Sequence, residues 1–110
     1  MLTVEEIKSR IEPIARQYRL NAVYLFGSYA RNEATEESDV DLLIDRKDSS
    51  VHSLFDMGGL YTDLQDALGV EIDIVTTQTL EQVSTKQRTL MLIENVYSER
   101  IQIFTLSDNN

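Results

Sequence analysis

An α+β fold, with a mixed sheet of three or four strands flanked by helices, is predicted by three observations. Apolar residues recur at helical spacing over residues 4–18 and again over 54–68. Short β-prone apolar runs lie at residues 22–26, 40–44 and 70–75. Charged or glycine-containing breaks separate these stretches. The helix between the second and third runs is long enough to serve as a crossover, so those two strands can lie side by side.

The first helix is predicted from about Val4 to Tyr18. Thr3 and Glu6 have the spacing of a capping box, and Val4, Ile7, Ile11, Ile14 and Tyr18 form an apolar stripe. Pro13 lies inside that stripe and is expected to kink the helix or split it in two. Asn21 ends the element, and Ala22 to Phe26 reads as a buried strand closed by Gly27. Ser28 to Ser38 is polar and acidic, a helical turn followed by a loop. Val40 to Ile44 is the second strand, stopped by the charged run from Asp45 to Asp48.

A second helix is expected to start at Ser53, with Asp56 completing a capping box. Leu54, Met57, Tyr61, Leu64 and Leu68 form its apolar stripe, and Gly69 suits its left-handed stop. The pair Gly58-Gly59 marks a close packing point within it. Val70 to Val75 alternates and is rich in β-branched residues, which makes a third strand. A third helix is expected within Thr77 to Asn95, with Leu80, Val83, Leu90 and Ile93 inward. Arg100 to Thr105 is an optional edge strand, and the last five residues, 106–110, form a frayed tail.

Length and charge narrow the function. A chain of 110 residues with 42% hydrophobic content makes one domain, spanning 1–110, with little left over for a separate substrate-binding module. It contains no cysteine, which excludes disulfides and thiolate metal sites and fits a reducing cytoplasm. No apolar run approaches the roughly 20 residues of a membrane span, and the first residues lack a secretory pattern, so a soluble, cytoplasmic protein is expected. Ten basic and nineteen acidic side chains give a net charge of −9. The ten cations are scattered, so direct nucleic-acid binding is not expected; a divalent cation or a basic protein suits the surface better.

The chemistry concentrates in Gly27-Ser28, ten intervening residues, and Asp39-Val40-Asp41. Alternate residues of a strand share a face, so Asp39 and Asp41 project together, with Cα atoms roughly 6–7 Å apart. Adjacent carboxylates raise each other's pKa, and a cation relieves them. Magnesium takes carboxylate oxygens together with phosphate oxygens. Asp73 alternates with Val70, Ile72 and Ile74, and on a neighbouring strand it would join the pair. Three carboxylates on rigid strands suit two metal ions roughly 3.5–4 Å apart, a platform for phosphoryl transfer. Gly27 lets the backbone approach a ligand, while the turn after it and the Ser28 hydroxyl offer donors to phosphate oxygens.

Leu25 to Arg31, Ser38-Asp39-Val40-Asp41-Leu42 and the later Asp73 together resemble the polymerase-beta-like nucleotidyltransferase superfamily, and within it the minimal nucleotidyltransferase group. The resemblance spans Leu2 to Tyr97. Asn32 stands where that group has glycine, and asparagine tolerates the left-handed backbone the turn needs. The resemblance implies that Gly27 and Ser28 position nucleotide phosphates and that Asp39 and Asp41 hold two Mg²⁺ ions. It implies that Asp73 completes one metal site and helps activate an acceptor hydroxyl for attack on the α-phosphate of ATP. It further implies an antitoxin that adenylylates a tyrosine of a HEPN-domain ribonuclease toxin. Arg31 either contacts phosphate or balances Glu33, Glu36 and Glu37. Two other functions remain open: neutralisation by binding alone, and transfer to a small-molecule hydroxyl. The bland readings are a solvated loop edge for the Asp-x-Asp pair, a surface position for His52, and packing for Tyr18 and Tyr61.

Overall fold

The computed structural model describes residues 1–78 and 99–106. Helix α1 (Val4–Gln17) leads to strand β1 (Ala22–Phe26), the single turn α2 (Gly27–Ala30) and strand β2 (Val40–Asp45). Helix α3 (Leu54–Leu68), strand β3 (Ile72–Thr76) and strand β4 (Ile101–Thr105) follow. The sheet has the order β3-β2-β1-β4. β1 pairs antiparallel with both β2 and β4, whereas β2 and β3 run parallel, joined through α3. The sheet is mixed, as predicted, and the optional last strand forms beside β1. No described helix is long and apolar enough to cross a membrane.

Helix α1 begins with the expected reciprocal cap: the Glu6 N–H donates to Thr3 Oγ1 and the Thr3 N–H to Glu6 Oε1, each at 3.0 Å. Ile7, Ile11 and Ala15 are buried on one face. Pro13 does not divide the helix, which is continuous from Val4 to Gln17. The proline removes the N–H that would bond the Ser9 carbonyl, but Ser9 and Pro13 both face solvent, where water can serve that carbonyl. At the helix end the Tyr18 hydroxyl donates to Asp63 at 2.6 Å, tying α1 to α3. That carboxylate, with burial adding to it, pushes the Tyr18 phenol up to about 12. A methyl group on Gly59 would come within 3.2 Å of the same hydroxyl, while one on Gly58 would meet open space. Only one of the two glycines is a packing point.

Helix α3 starts at the Ser53–Asp56 capping box and stops at Gly69, whose φ is +72°. Its buried stripe differs from the predicted one. Leu60, Leu64 and Leu68 are buried, Met57 packs at the margin, and Leu54 is 90% exposed. Phe55 beside it is equally exposed, so the first turn of α3 is left uncovered. β3 begins two residues later than predicted and ends at Thr76. Helices α1 and α3 cover one face of the sheet, where Val23, Leu25, Val40, Leu42, Ile44 and Ile72 form the main core. Leu43 anchors a smaller cluster on the other face with Tyr24, Phe26 and Val75. Thr77 and Gln78 are helical, and the remainder of the helix expected within Thr77–Asn95 lies outside the described residues, as does most of the predicted tail.

Candidate active site

The candidate residues gather where β1 ends and β2 and β3 begin. Antiparallel pairing sets Phe26, the last residue of β1, opposite Asp41. Gly27 then adopts φ +74° and turns the chain into α2. A side chain at position 27 would collide with the Asp41 carboxyl group, whose Cγ lies 3.0 Å from where a Cβ would sit. Glycine is therefore required twice, for its backbone angle and for its missing methyl. Asn32 also has a positive φ, +60°, as expected for a residue standing in for glycine. The Glu33 N–H donates to the Ser28 carbonyl at 2.8 Å and closes the turn. Among the described residues the Ser28 hydroxyl makes no hydrogen bond, which leaves it able to donate to a ligand.

Parallel pairing of β2 and β3 sets Asp41 directly beside Asp73. Asp39 lies one residue ahead of β2, in a loop pinned by Thr35 and Ser38: the Thr35 N–H donates to Ser38 Oγ at 2.8 Å and the Ser38 N–H to the Thr35 carbonyl at 3.0 Å. Ser38 thus shapes the approach to Asp39. Burial raises the Asp41 pKa to about 6, with the negative charges of Asp73 and then Asp39 adding to it; a hydrogen bond with Asp73 favours the protonated form further, and Arg31 works against the shift. Asp39 and Asp73 thus both bear on Asp41; they are exposed, and only Asp41 is half-buried.

The three do not close into a cage. Among the described residues, no trio of acidic or histidine side chains is gathered tightly enough to enclose an ion unaided. The donor set is oxygen only, which suits a hard cation that keeps part of its shell for water or phosphate. Open space adjoins the trio on both sides. A cleft of about 540 Å³ is lined by Asp39, Glu36, Glu37, Asp66 and Glu71. Another of about 600 Å³ is lined by Asp73, His52, Leu54, Met57 and Tyr61. His52 is a surface residue, and the Tyr61 hydroxyl is used structurally, donating to the Ile72 carbonyl at 3.3 Å.

Arg31 pairs with two acids, one near in sequence and one distant. Its Nε donates to Glu33 at 2.6 Å, and its Nη1 donates to the two oxygens of Glu99 at 3.0 and 3.1 Å. These bonds, Glu33 first, hold the guanidinium above its ordinary pKa. Glu99 also accepts the Gly27 N–H at 3.3 Å. Glu33 was read from the sequence as a partner of Arg31; Glu99 was not. It lies 68 residues from Arg31, and no local pattern marks it.

Residues 9–109 match the family model described as "Polymerase beta, Nucleotidyltransferase". A Methanocaldococcus jannaschii protein named as a candidate protein adenylyltransferase is 37% identical over 79 residues, covering 72% of this chain and 83% of the relative. The protein adenylyltransferase MntA of Thermococcus cleftensis is 35% identical over 85 residues, covering 74% of this chain and 84% of its own. Among solved structures, a toxin–antitoxin with AMP-PNP matches with a TM-score of 0.66 and 26% identity, over 92% of this chain and 76% of that one.

Proposed function

We propose, from the premise that this chain belongs to the polymerase beta nucleotidyltransferase family, that it is a protein adenylyltransferase antitoxin. It transfers AMP from ATP to a tyrosine hydroxyl of a HEPN-domain toxin. The observation that carries the reading is the register of β2 against β3, which sets Asp41 beside Asp73 while the Gly27 turn passes directly beneath Asp41. That is one compact place for a triphosphate and the carboxylates that manage its charge.

Each residue has a task in this reading. The Gly27 N–H, the Ser28 hydroxyl and the Arg31 guanidinium hold the terminal phosphates by charge-assisted hydrogen bonds. Asp39, Asp41 and Asp73 would provide oxygen ligands for two Mg²⁺ ions, and the Asp41 pKa, raised by burial and further by its two acidic neighbours, is one such ions would lower. Bound Mg²⁺ supplies charge neutralisation at the phosphates. Asp73, exposed like Asp39, lines the cleft beside His52 and Tyr61 and takes the proton of the acceptor hydroxyl. The acceptor oxygen bonds to the α-phosphorus as the α–β bridging bond breaks, and pyrophosphate leaves toward the Gly27 turn. The chain contributes positioning and preorganised charge, which is most of what such a transfer needs.

The test is incubation with Mg·ATP and the cognate toxin, followed by intact-mass measurement. Addition of AMP to the toxin by the native chain and none by Asp41→Ala is the expected result. A toxin that gains no mass, yet is still neutralised, would overturn the enzymatic reading in favour of binding alone.

A further inference from the structure

The phosphate turn already carries an anion of the chain's own. β4 runs antiparallel to β1 with Ile101 opposite Leu25, so the residues just ahead of β4 fall beside the Gly27 turn. The Arg100 guanidinium lies 4.6 Å above the Tyr24 ring, a cation–π contact that fixes the chain there. Glu99 then accepts from the Gly27 N–H and, through both carboxylate oxygens, from Arg31. Its side chain is 23% exposed, against 63% for Glu33, the other partner of Arg31. Glu33 is a solvated counter-ion, whereas Glu99 is sheltered and bound to the backbone as well. A backbone N–H and a guanidinium converging on one pair of oxygens are the donors that a phosphate group takes.

We propose that Glu99 is a built-in competitor at the nucleotide site: its carboxylate stands where the terminal phosphates of ATP bind, and they must displace it to enter. The inference rests on reading the Gly27 turn as the phosphate site. Displacing Glu99 breaks charge-assisted bonds, so the incoming group must offer more charge and more acceptor oxygens than one carboxylate. A triphosphate does. The single phosphate of AMP, lodged beside the aspartates, leaves Glu99 in place. After transfer and departure of pyrophosphate, the glutamate returns to the turn and disfavours rebinding of the leaving group.

Titration calorimetry in Mg²⁺ buffer tests this with AMP-PNP, inorganic tripolyphosphate and AMP on the native chain and on Glu99→Gln, which keeps the shape and removes the charge. AMP-PNP and tripolyphosphate are expected to bind about fivefold tighter or more, with AMP unchanged. Glu33→Gln removes an equal charge from the same arginine without touching Gly27, and is expected to change each affinity less than about twofold. Unchanged or weaker triphosphate binding by Glu99→Gln overturns the proposal, as does equal tightening toward AMP or an equal effect of Glu33→Gln. If circular dichroism shows Glu99→Gln misfolded, Glu99→Asp, too short to span Arg31 and Gly27 together, must show the same selective gain. Failure of every form to bind triphosphate would instead sink the phosphate-turn reading, and this inference with it.

Discussion

The two halves of the candidate site have opposite electrostatic states. At the Gly27 turn the cation and the backbone donor are already satisfied: Arg31 and the Gly27 N–H are held by Glu99, with Glu33 assisting. Across the strand ends burial, with the charges of Asp73 and Asp39 adding to it, pushes Asp41 up to about 6. One half is quenched by the chain and the other is frustrated by it. A lone anion answers only the first and a lone cation only the second. A metal-bound nucleotide answers both, which is why the pairing of the two halves, more than either motif alone, argues for a nucleotide-triphosphate enzyme.

The largest effect should come from breaking both halves at once. Gly27→Ala forces an L side chain into a left-handed backbone, a cost of about 1–2 kcal/mol, and drives its methyl into the Asp41 carboxyl group. AMP transfer to the toxin is expected to fall at least about 100-fold, with a lower melting temperature; near-normal transfer would separate the turn from the aspartates.

Asp41→Asn should reveal the frustrated half by itself. Transfer is expected to drop by about 100-fold or more, yet the metal-free variant should melt higher than the native chain at pH 8. The sign follows from the raised pKa. Ionised Asp41 is disfavoured in the fold, so the native chain carries that penalty above pH 6 and sheds it as pH falls through about 6 toward its ordinary 3.8. Melts in chelator from pH 4 to pH 8 should show the advantage of the variant shrinking toward the acid end. A variant less stable than the native chain at pH 8 would show that the trio is not strained.

Ligand-induced melting shifts sharpen the contrast further. Mg²⁺ alone, and AMP-PNP with chelator, should each shift the melting temperature little, while together they should exceed the sum. At 100 times Kd the stabilisation would be about 2.7 kcal/mol. Additive shifts would mean that the halves are independent. The smallest effect is a control outside the site. Tyr18→Phe removes the hydrogen bond to Asp63 and should cost about 1 kcal/mol, read by urea denaturation, with Mg·AMP-PNP affinity unchanged. Altered affinity would imply that the α1–α3 tie reaches the site.

Local signals were the legible ones. Both capping boxes, the Gly69 stop and the strands of alternating residues depend on near neighbours, and they occur where the sequence indicated. The Gly-Ser turn and Asp-x-Asp pair were equally local, and Asp73 followed from strand alternation plus one crossover. Pro13 did not split the helix, because its effect depends on whether the orphaned carbonyl is wet, which periodicity does not report. Leu54 misled because periodicity finds a helix face but not which of its turns are covered; Leu60, beside two glycines, was overlooked for the same stripe. Glu99 was invisible because its partners come from the distant α2 turn, 68 and 72 residues away.

The parallel ladder has one further consequence. Asp41 and Asp73 are 32 positions apart and meet only because backbone hydrogen bonds align them, so their spacing is inherited from the ladder and not from side-chain packing. A slip of β3 by a single residue would present isoleucine to Asp41 and turn the aspartate to the helix-covered side. The arrangement is thus digital: the chain has the right alignment or loses the carboxylate altogether. Drift across the enclosed apolar positions can be wide without degrading chemistry, provided no insertion or deletion falls between the two strands that shifts their alignment.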